Sequence, residues 1–364
     1  NEAEHLPRSL ADLCRQNYDG PLRVIFVDDA STDATPTITR AALRQFPERL
    51  TVVRNDVEPP PGWVGKCWAI HRGVRQLETQ LEDADARTPW LCFTDADLRW
   101  HPQLLRTAMQ HAEAHDADVV AVAPTLVFGG AWETIVQLQL MLALAAMLPF
   151  EKAMDPRKKD TAITGGAFIL VKRAKYDEIG GHEAVKGEIV EDLQIGLALK
   201  RSGAKMRVAL AGDLQWCRMY DGVPDMWEGL TKNAYAGLNR NPFKATALLV
   251  ATLALNIAPM PLAIGALVWC LVSPSWIAIA TCAAATLTTL FQARALNAVR
   301  KLARPTPTHP EQPHELGTRP VPARYAWTMP IGSAAYSVIL LASMWHAHTR
   351  GNVWKGRSYK AVAS

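Results

Sequence analysis

Three acidic motifs and one glycine-rich loop carry the side chains most able to do chemistry. Asp95 and Asp97 stand one residue apart directly after the apolar run Trp90-Leu-Cys-Phe-Thr94. Two carboxylates so spaced can turn toward one hard divalent cation, Mg²⁺ or Mn²⁺, which takes oxygen ligands shared with substrate phosphates. The alternative is a solvated turn. Asp28 follows the apolar run Leu22-Arg-Val-Ile-Phe-Val27, where a carboxylate can accept a hydrogen bond from a nucleobase N–H. Ser31, Thr32 and Asp33 equally suit the N-cap of the next helix. Pro61-Gly-Trp-Val-Gly-Lys-Cys-Trp68 enters a helix, so its backbone N–H groups and Lys66 can meet a diphosphate; a tight turn with aromatic packing is the other reading. It is no Walker A loop, because Gly62 and Gly65 are too close and Cys67 stands where Ser or Thr belongs. Glu191-Asp192 opens a helix, a place where the macrodipole favours acids in any case.

These residues need a sheet to hold them. Short β-rich runs alternate with longer helical ones from residue 1 to about 240: strands at 22–27, 50–53, 90–94, 118–123, 167–172 and 205–210, and helices at 35–46, 66–77, from Pro102, at 190–202 and near 226–238. The pattern predicts a doubly wound, mostly parallel α/β domain with right-handed crossovers. Ligands of open parallel sheets lie beyond the carboxyl ends of the strands, which is where Asp28 and Asp95 fall.

The remainder of the chain has another character. Ala245 to Ala293 is a run of 49 residues without a charged side chain. At about 1.5 Å per helical residue and roughly 30 Å of hydrocarbon, it is long enough for two membrane spans, with Ser273-Pro274-Ser275 as the turn and Pro259 and Pro261 as a kink. Lys and Arg number 29 against 33 Asp and Glu before residue 245, and 10 against 2 after residue 293. The basic, Pro-rich stretch 294–324 therefore reads as a cytosolic linker, with 325–345 as a third uncharged segment and 325–364 as the closing domain. A basic tail beyond three crossings from a cytosolic head conflicts with that charge rule. Ala131 to Phe150 is apolar apart from Glu133 and two glutamines; it suits a third membrane span, a core helix or an interfacial helix, and the charged residues that follow at once favour the interfacial one. The six cysteines lack any metal-site or paired spacing and read as reduced thiols. The domain scheme is thus a head (1–244), a hairpin (245–293), a linker (294–324) and a final segment. No signal-peptide pattern opens the chain, which starts at Asn1.

Asn1-Glu2, the D-D-A-S-T-D run, the D-A-D motif and Glu191-Asp192 occur in the order and spacing of family 2 glycosyltransferases, and the head is identified by resemblance as a member with a GT-A type fold. The G-W-x-G-K loop and the closing Trp354-Lys-Gly-Arg357 resemble the hopene-associated (HpnB-like) group. The resemblance implies that Glu2, Asp28, Lys66 and Asp95 bind a nucleotide-sugar donor, UDP-sugar above all. It implies that Asp95 and Asp97 hold Mg²⁺ or Mn²⁺, and that Asp192, with Glu191 beside it, is the base of an inverting transfer. Gly165 and Gly166 resemble the loop shaping the acceptor site, or simply a turn before a strand. Gln215-Trp-Cys-Arg218-Met219 partly matches the Q-x-x-R-W motif of processive members, with Met219 where Trp is expected. Arg218 then neutralises diphosphate and Trp227 supplies the missing ring, while Trp216, Tyr220 and Trp227 equally suit the membrane interface. The family has a strand before its Asn-Glu, so the sheet is expected to lack its first strand, and a membrane anchor is expected upstream. The implied enzyme is a metal-dependent, multi-pass glycosyltransferase of the bacterial inner membrane, its head cytosolic, acting on a hopanoid or related isoprenoid and on no nucleic acid. A polyprenyl-phosphate glycosyltransferase and a noncatalytic lipid-binding scaffold are the rival readings; four acids at strand and helix ends argue against the scaffold.

Overall fold

The computed structural model describes residues 1–80, 89–147, 150–188, 190–238, 240–305, 321–349, 352–354 and 357–359. They fall into two units. The first comprises Asn1–Thr125 and Leu148–Cys217; the second comprises Leu126–Met147 and the chain from Arg218 onward. The boundary therefore lies at Arg218 rather than 244, and residues 126–147 go with the second unit.

The first unit runs α1 (Leu6–Cys14), β1 (Val24–Asp28), α2 (Thr35–Gln45), β2 (Leu50–Arg54), α3 (Gly65–Gln80), β3 (Trp90–Phe93), β4 (Arg99–Trp100), α4 (Leu104–Ala114), β5 (Val119–Ala123), α5 (Phe150–Met154), β6 (Ile169–Lys172), α6 (Arg173–Glu178), α7 (Glu191–Arg201), β7 (Met206–Leu210) and β8 (Gln215–Cys217). In a strand, successive side chains point to opposite faces. Ile25 of β1 accordingly packs with Cys67, Leu77, Leu91, Val119 and Ile195, while Val24 and Phe26 pack with Leu6, Leu10, Cys14 and Leu50. Both faces of β1 are covered, as a doubly wound fold requires.

Strand direction departs from the expectation of a mostly parallel sheet. β1 and β2 form a parallel ladder of their own, with Asp28 paired to Arg54. The larger sheet has the order β3-β6-β5-β7, in which only β5 and β7 are parallel; β6 runs against both of its neighbours. The reason is local. The Asp95 N–H donates to the Gly166 carbonyl at 2.9 Å, which fixes the Gly165-Gly166 turn at the carboxyl end of β3. The strand leaving that turn starts where β3 ends and must run the other way. Between β1 and β3 lies a mostly apolar cavity of about 830 Å³.

In the second unit, helix Ala131–Met147 buries Val136, Gln137 and Leu138 and packs along Met329–Thr349 and Trp276–Arg300. Of the three readings, packing of this kind is what a core helix would show. A Cβ on Gly332 would stand 2.8 Å from the Ile135 carbonyl, so the glycine lets two backbones approach. Among the described residues, Trp276–Arg300 is long and apolar enough to cross a membrane; Pro242–Ile257 and Pro259–Val272, bent by 42°, count as a second span if taken together. Met329–Thr349 covers the third expected segment and has the length but not the apolarity. The bend follows a π-turn at Leu253–Ile257, where the Gln292 carboxamide donates to the Leu255 carbonyl. Residues 306–320 of the basic linker and Lys355 and Gly356 of the tail motif lie outside the described residues.

One buried ion pair ties α1 to β4: Arg99 Nε lies 2.6 Å from Asp12 Oδ2, the Trp100 N–H donates to the same oxygen at 3.2 Å, and the guanidinium sits 5.3 Å from the Trp216 ring centre. Removing one member of a buried pair strands the other charge. Asp12→Ala is expected to cost about 3–5 kcal/mol, read by urea unfolding; a loss no larger than that of an exposed pair would show the link to be dispensable.

Candidate active site

The acids expected to do chemistry gather through one ammonium group. Lys66, the second residue of α3, holds its Nζ 2.7 Å from Asp95 Oδ1 and 2.7 Å from Glu191 Oε1. Almost half of its side chain is open, and it lines the cavity between β1 and β3. Burial opposes the charge, and the two carboxylates outweigh it and push the Lys66 ammonium far above its ordinary range. Burial likewise raises the Glu191 carboxyl; Lys66 pulls it back and neighbouring Asp192 adds to the rise.

The loop that carries Lys66 is locked to the loop that leads to Glu191. The Val64 N–H donates to the Lys186 carbonyl at 2.7 Å, and the Cys67 thiol to the Val185 carbonyl at 3.4 Å. Gly62 has φ +87°, so the turn at Pro61-Gly62 needs the left-handed region that glycine supplies without strain. Trp63, Trp68 and His71 pack against one another behind it, with ring centres 4.8 to 5.7 Å apart. The glycine-rich loop thus combines both readings, a tight aromatic turn and a lysine aimed at the acids.

Asp192 is held from both sides. Its Oδ2 accepts the Gly166 N–H at 2.7 Å, its Oδ1 accepts the Leu193 N–H at 2.8 Å, and its carbonyl accepts the Thr164 hydroxyl at 2.6 Å. Each carboxylate oxygen keeps a second lone pair. Gly166 leaves no room for a side chain: a Cβ would stand 2.7 Å from Asp95 Oδ2 and 2.8 Å from Lys66 Nζ, whereas one on Gly165 meets nothing within 4 Å. The structure therefore brings together Lys66, Asp95, Gly166, Glu191 and Asp192.

Asp97 lies close enough to Asp95 to feel its charge. Burial raises its carboxyl first, and Asp95 and Glu2 raise it further. A half-buried like-charged pair of this kind is relieved by a cation, so the two carboxylates suit a hard divalent ion. Among the described residues, no third acid, histidine or cysteine completes a group of ligands around them.

Asp28 is buried and engaged: Arg54 Nη1 lies 2.6 Å from its Oδ2, and the Ser31 N–H donates to Oδ1 at 3.1 Å. Arg54 was not singled out from the sequence; its signal was a lone cation at the end of the strand that pairs with β1. Asp33 stands one residue before the N-cap position, Ala34, which carries no side-chain cap, and it accepts the Thr35 N–H at 3.0 Å and the Ala3 N–H at 3.1 Å. Burial raises the Asp33 carboxyl, and the bonds to Thr35 and Ala3 together outweigh it and hold it down at about 2. The Glu2 N–H donates to the Thr35 hydroxyl at 3.0 Å, and Asn1 Oδ1 accepts the Thr32 N–H at 2.7 Å. Asn1-Glu2 is thus tied to the D-A-S-T-D run.

Arg218 and Trp227 belong to the second unit. Arg218 lies 2.9 Å from Glu133 Oε1 and 2.8 Å from Asp221 Oδ1, and Glu133 also accepts the Gly129 and Gly222 N–H groups. Trp227 stands 40% exposed on helix Val223–Asn233.

The bridge has a direct test. Lys66→Met removes the cation that holds the Glu191 carboxyl down, so its titration should move upward, read by carbon-13 NMR of the labelled carboxyl. An unmoved titration would mean that Lys66 does not bridge the acids.

Residues 1–180 match the family described as Glycosyl transferase family 2. The N-acetylglucosaminyl-diphospho-decaprenol L-rhamnosyltransferase of Mycobacterium tuberculosis is 24% identical over 217 residues, covering 55% of this chain and 67% of that protein. Among solved structures, TarS of S. aureus aligns over 98% of this chain with a TM-score of 0.41 and 14% identity. The chain spans 55% of the length of that TarS structure. The glucosyl-3-phosphoglycerate synthase of Mycobacterium tuberculosis aligns over 61% of this chain and 71% of its own, with a TM-score of 0.35 and 16% identity. The amino-terminal part of the chain, with Asp28, Lys66, Asp95, Asp97 and Gly166 in it, is a glycosyl transferase family 2 domain.

Proposed function

We propose that this protein transfers a sugar, with inversion, from a nucleotide-diphosphate sugar to the hydroxyl of a membrane lipid, a hopanoid or related isoprenoid. The observation that carries the reading is the cluster at the carboxyl end of β3, where Lys66 joins Asp95 to Glu191 and Gly166 joins Asp95 to Asp192. Inverting transfer needs an acceptor proton removed as the hydroxyl attacks C1, and stabilisation of the charge that gathers on the leaving diphosphate. Asp192, pinned by two backbone N–H groups, is the base. Lys66 offers a cation to the diphosphate, and Glu191 holds it in place. Asp95 and Asp97 would hold Mg²⁺ or Mn²⁺, which when bound neutralises phosphate charge. Asp28 and Arg54 close the carboxyl end of β1 as the seat for the base of the donor.

A lipid acceptor fits the surface of the second unit. Leu271, Val272 and Trp276, at the turn between the two long apolar helices, are each 78–80% exposed. An apolar surface of that extent marks contact with lipid or protein. It supports a membrane-held enzyme of the bacterial inner membrane, with its head on the cytosolic side where nucleotide sugars are made. A polyprenyl-linked acceptor is the second reading, favoured by the name of the mycobacterial relative.

Membranes holding the protein, incubated with a panel of labelled nucleotide sugars, should yield a labelled lipid in the extract, and the mass of that lipid separates a hopanoid from a polyprenyl-linked product. Asp192→Asn should slow transfer by about 10² to 10⁴ while donor binding persists; equal loss of donor binding would move Asp192 to a structural role. EDTA should stop transfer, and undiminished activity in it would remove the metal from the mechanism.

A further inference from the structure

His111 and His115 stand four residues apart at the end of α4, one in its last turn and one directly after it, so both rings rise from the same face. Their ring centres are 4.3 Å apart and the ring planes meet at 42°. His111 is half-buried and His115 is exposed, so the pair is open to solvent on one side. The tautomer of a neutral His115 is fixed by its surroundings: Nδ1 lies 3.0 Å from the His111 carbonyl oxygen, and a carbonyl only accepts. Nδ1 therefore carries the proton, and the lone pair is left on Nε2. A metal-bound histidine is oriented by this kind of bond, one ring nitrogen donating to a backbone carbonyl while the other meets the ion. Burial first, then His115 and Arg207 of β7, push the His111 imidazole below its ordinary range, which leaves it a lone pair near neutral pH.

We infer that His111 and His115 together hold a borderline divalent transition ion, Zn²⁺, Ni²⁺ or Cu²⁺. Two imidazole nitrogens at about 2.0–2.1 Å from one ion stand roughly 3 Å from each other; rings with centres 4.3 Å apart reach that spacing by small turns about their side-chain bonds. Imidazole suits these ions, whereas carboxylates such as those of Asp95 and Asp97 suit Mg²⁺ and Mn²⁺, so the two places are told apart by the ion added. Among the described residues, no third acid, histidine or cysteine joins the pair, which leaves the remaining positions of the ion to water. The spacing is that of the two zinc ligands of an H-E-x-x-H helix. Glu113, however, stands two positions after His111 rather than one, so the general base of such an enzyme is missing and the site is one for binding, not hydrolysis. This inference is independent of the sugar-transfer reading.

The untagged full chain, with Mg²⁺ in excess to occupy carboxylates, is titrated with Cu²⁺, Ni²⁺ and Zn²⁺ by calorimetry, and its Cu²⁺ form is read by electron paramagnetic resonance, in which nitrogen ligands split the signal. Splitting by two nitrogens is expected, with Cu²⁺ bound ahead of Ni²⁺ and Zn²⁺. His115→Ala alters an exposed side chain at the end of a helix and should weaken binding by on the order of tenfold or more. A double variant, Glu113→His with His115→Ala, keeps the number of histidines but sets the second ring two positions from the first, where it no longer faces it. It should bind as weakly as His115→Ala. Binding at full strength in that double variant, an ion held as firmly after His111→Ala as before it, or a Cu²⁺ signal without nitrogen splitting would each overturn the inference.

Discussion

The contact on which the rest of the site depends is the one between the Lys66 ammonium and the carboxylates of Asp95 and Glu191. Three parts of the chain far apart in sequence meet there: the start of α3, the end of β3 and the start of α7. Burial raises the Glu191 carboxyl, and the lysine set between the two acids pulls it back. The cost of gathering the acids is thus met inside the cluster, and the surrounding loops need only hold the lysine still. The Val64–Lys186 and Cys67–Val185 hydrogen bonds do so by fastening the lysine loop to the segment that ends at Glu191.

A second constraint is steric. Gly166 stands where any side chain would collide with Asp95 and Lys66, and its N–H and carbonyl are both spent, one on Asp192 and one on Asp95. One residue therefore fixes the spacing between the acid of β3 and the acid of α7, and it also turns the chain so that β6 departs in reverse. The architecture of the sheet and the geometry of the site are set by the same two hydrogen bonds.

Much of this was legible in the residues. Apolar runs ending in acids marked β1 and β3 and their carboxyl ends, and the elements around them fall within a few residues of expectation. Strand direction was not legible, because the side-chain alternation of Ile169–Lys172 is the same whichever way the strand runs; only the Gly166 contact decides it. Lys66 was singled out, but its partners lie 29 and 125 positions away and nothing in local spacing names them. Arg54 was overlooked because its meaning comes from the register that sets it beside Asp28. The grouping of the helices was not legible for a related reason: Ala131–Met147 precedes strand β6 in sequence, yet its buried face is made by the helices Trp276–Arg300 and Met329–Thr349, far later in the chain.

The bend at Ala258 has a consequence of reach. The limbs Pro242–Ile257 and Pro259–Val272 hold 16 and 14 residues, about 24 Å and 21 Å at 1.5 Å per residue. Neither matches a hydrocarbon layer of roughly 30 Å, while the two together, even folded at 42°, exceed it. In a bilayer the pair would therefore have to lean, and the elbow would fall within the layer rather than at its edge. The backbone carbonyl freed at that elbow is the one the Gln292 side chain meets, so the neighbouring helix supplies at that depth the polar partner that lipid does not.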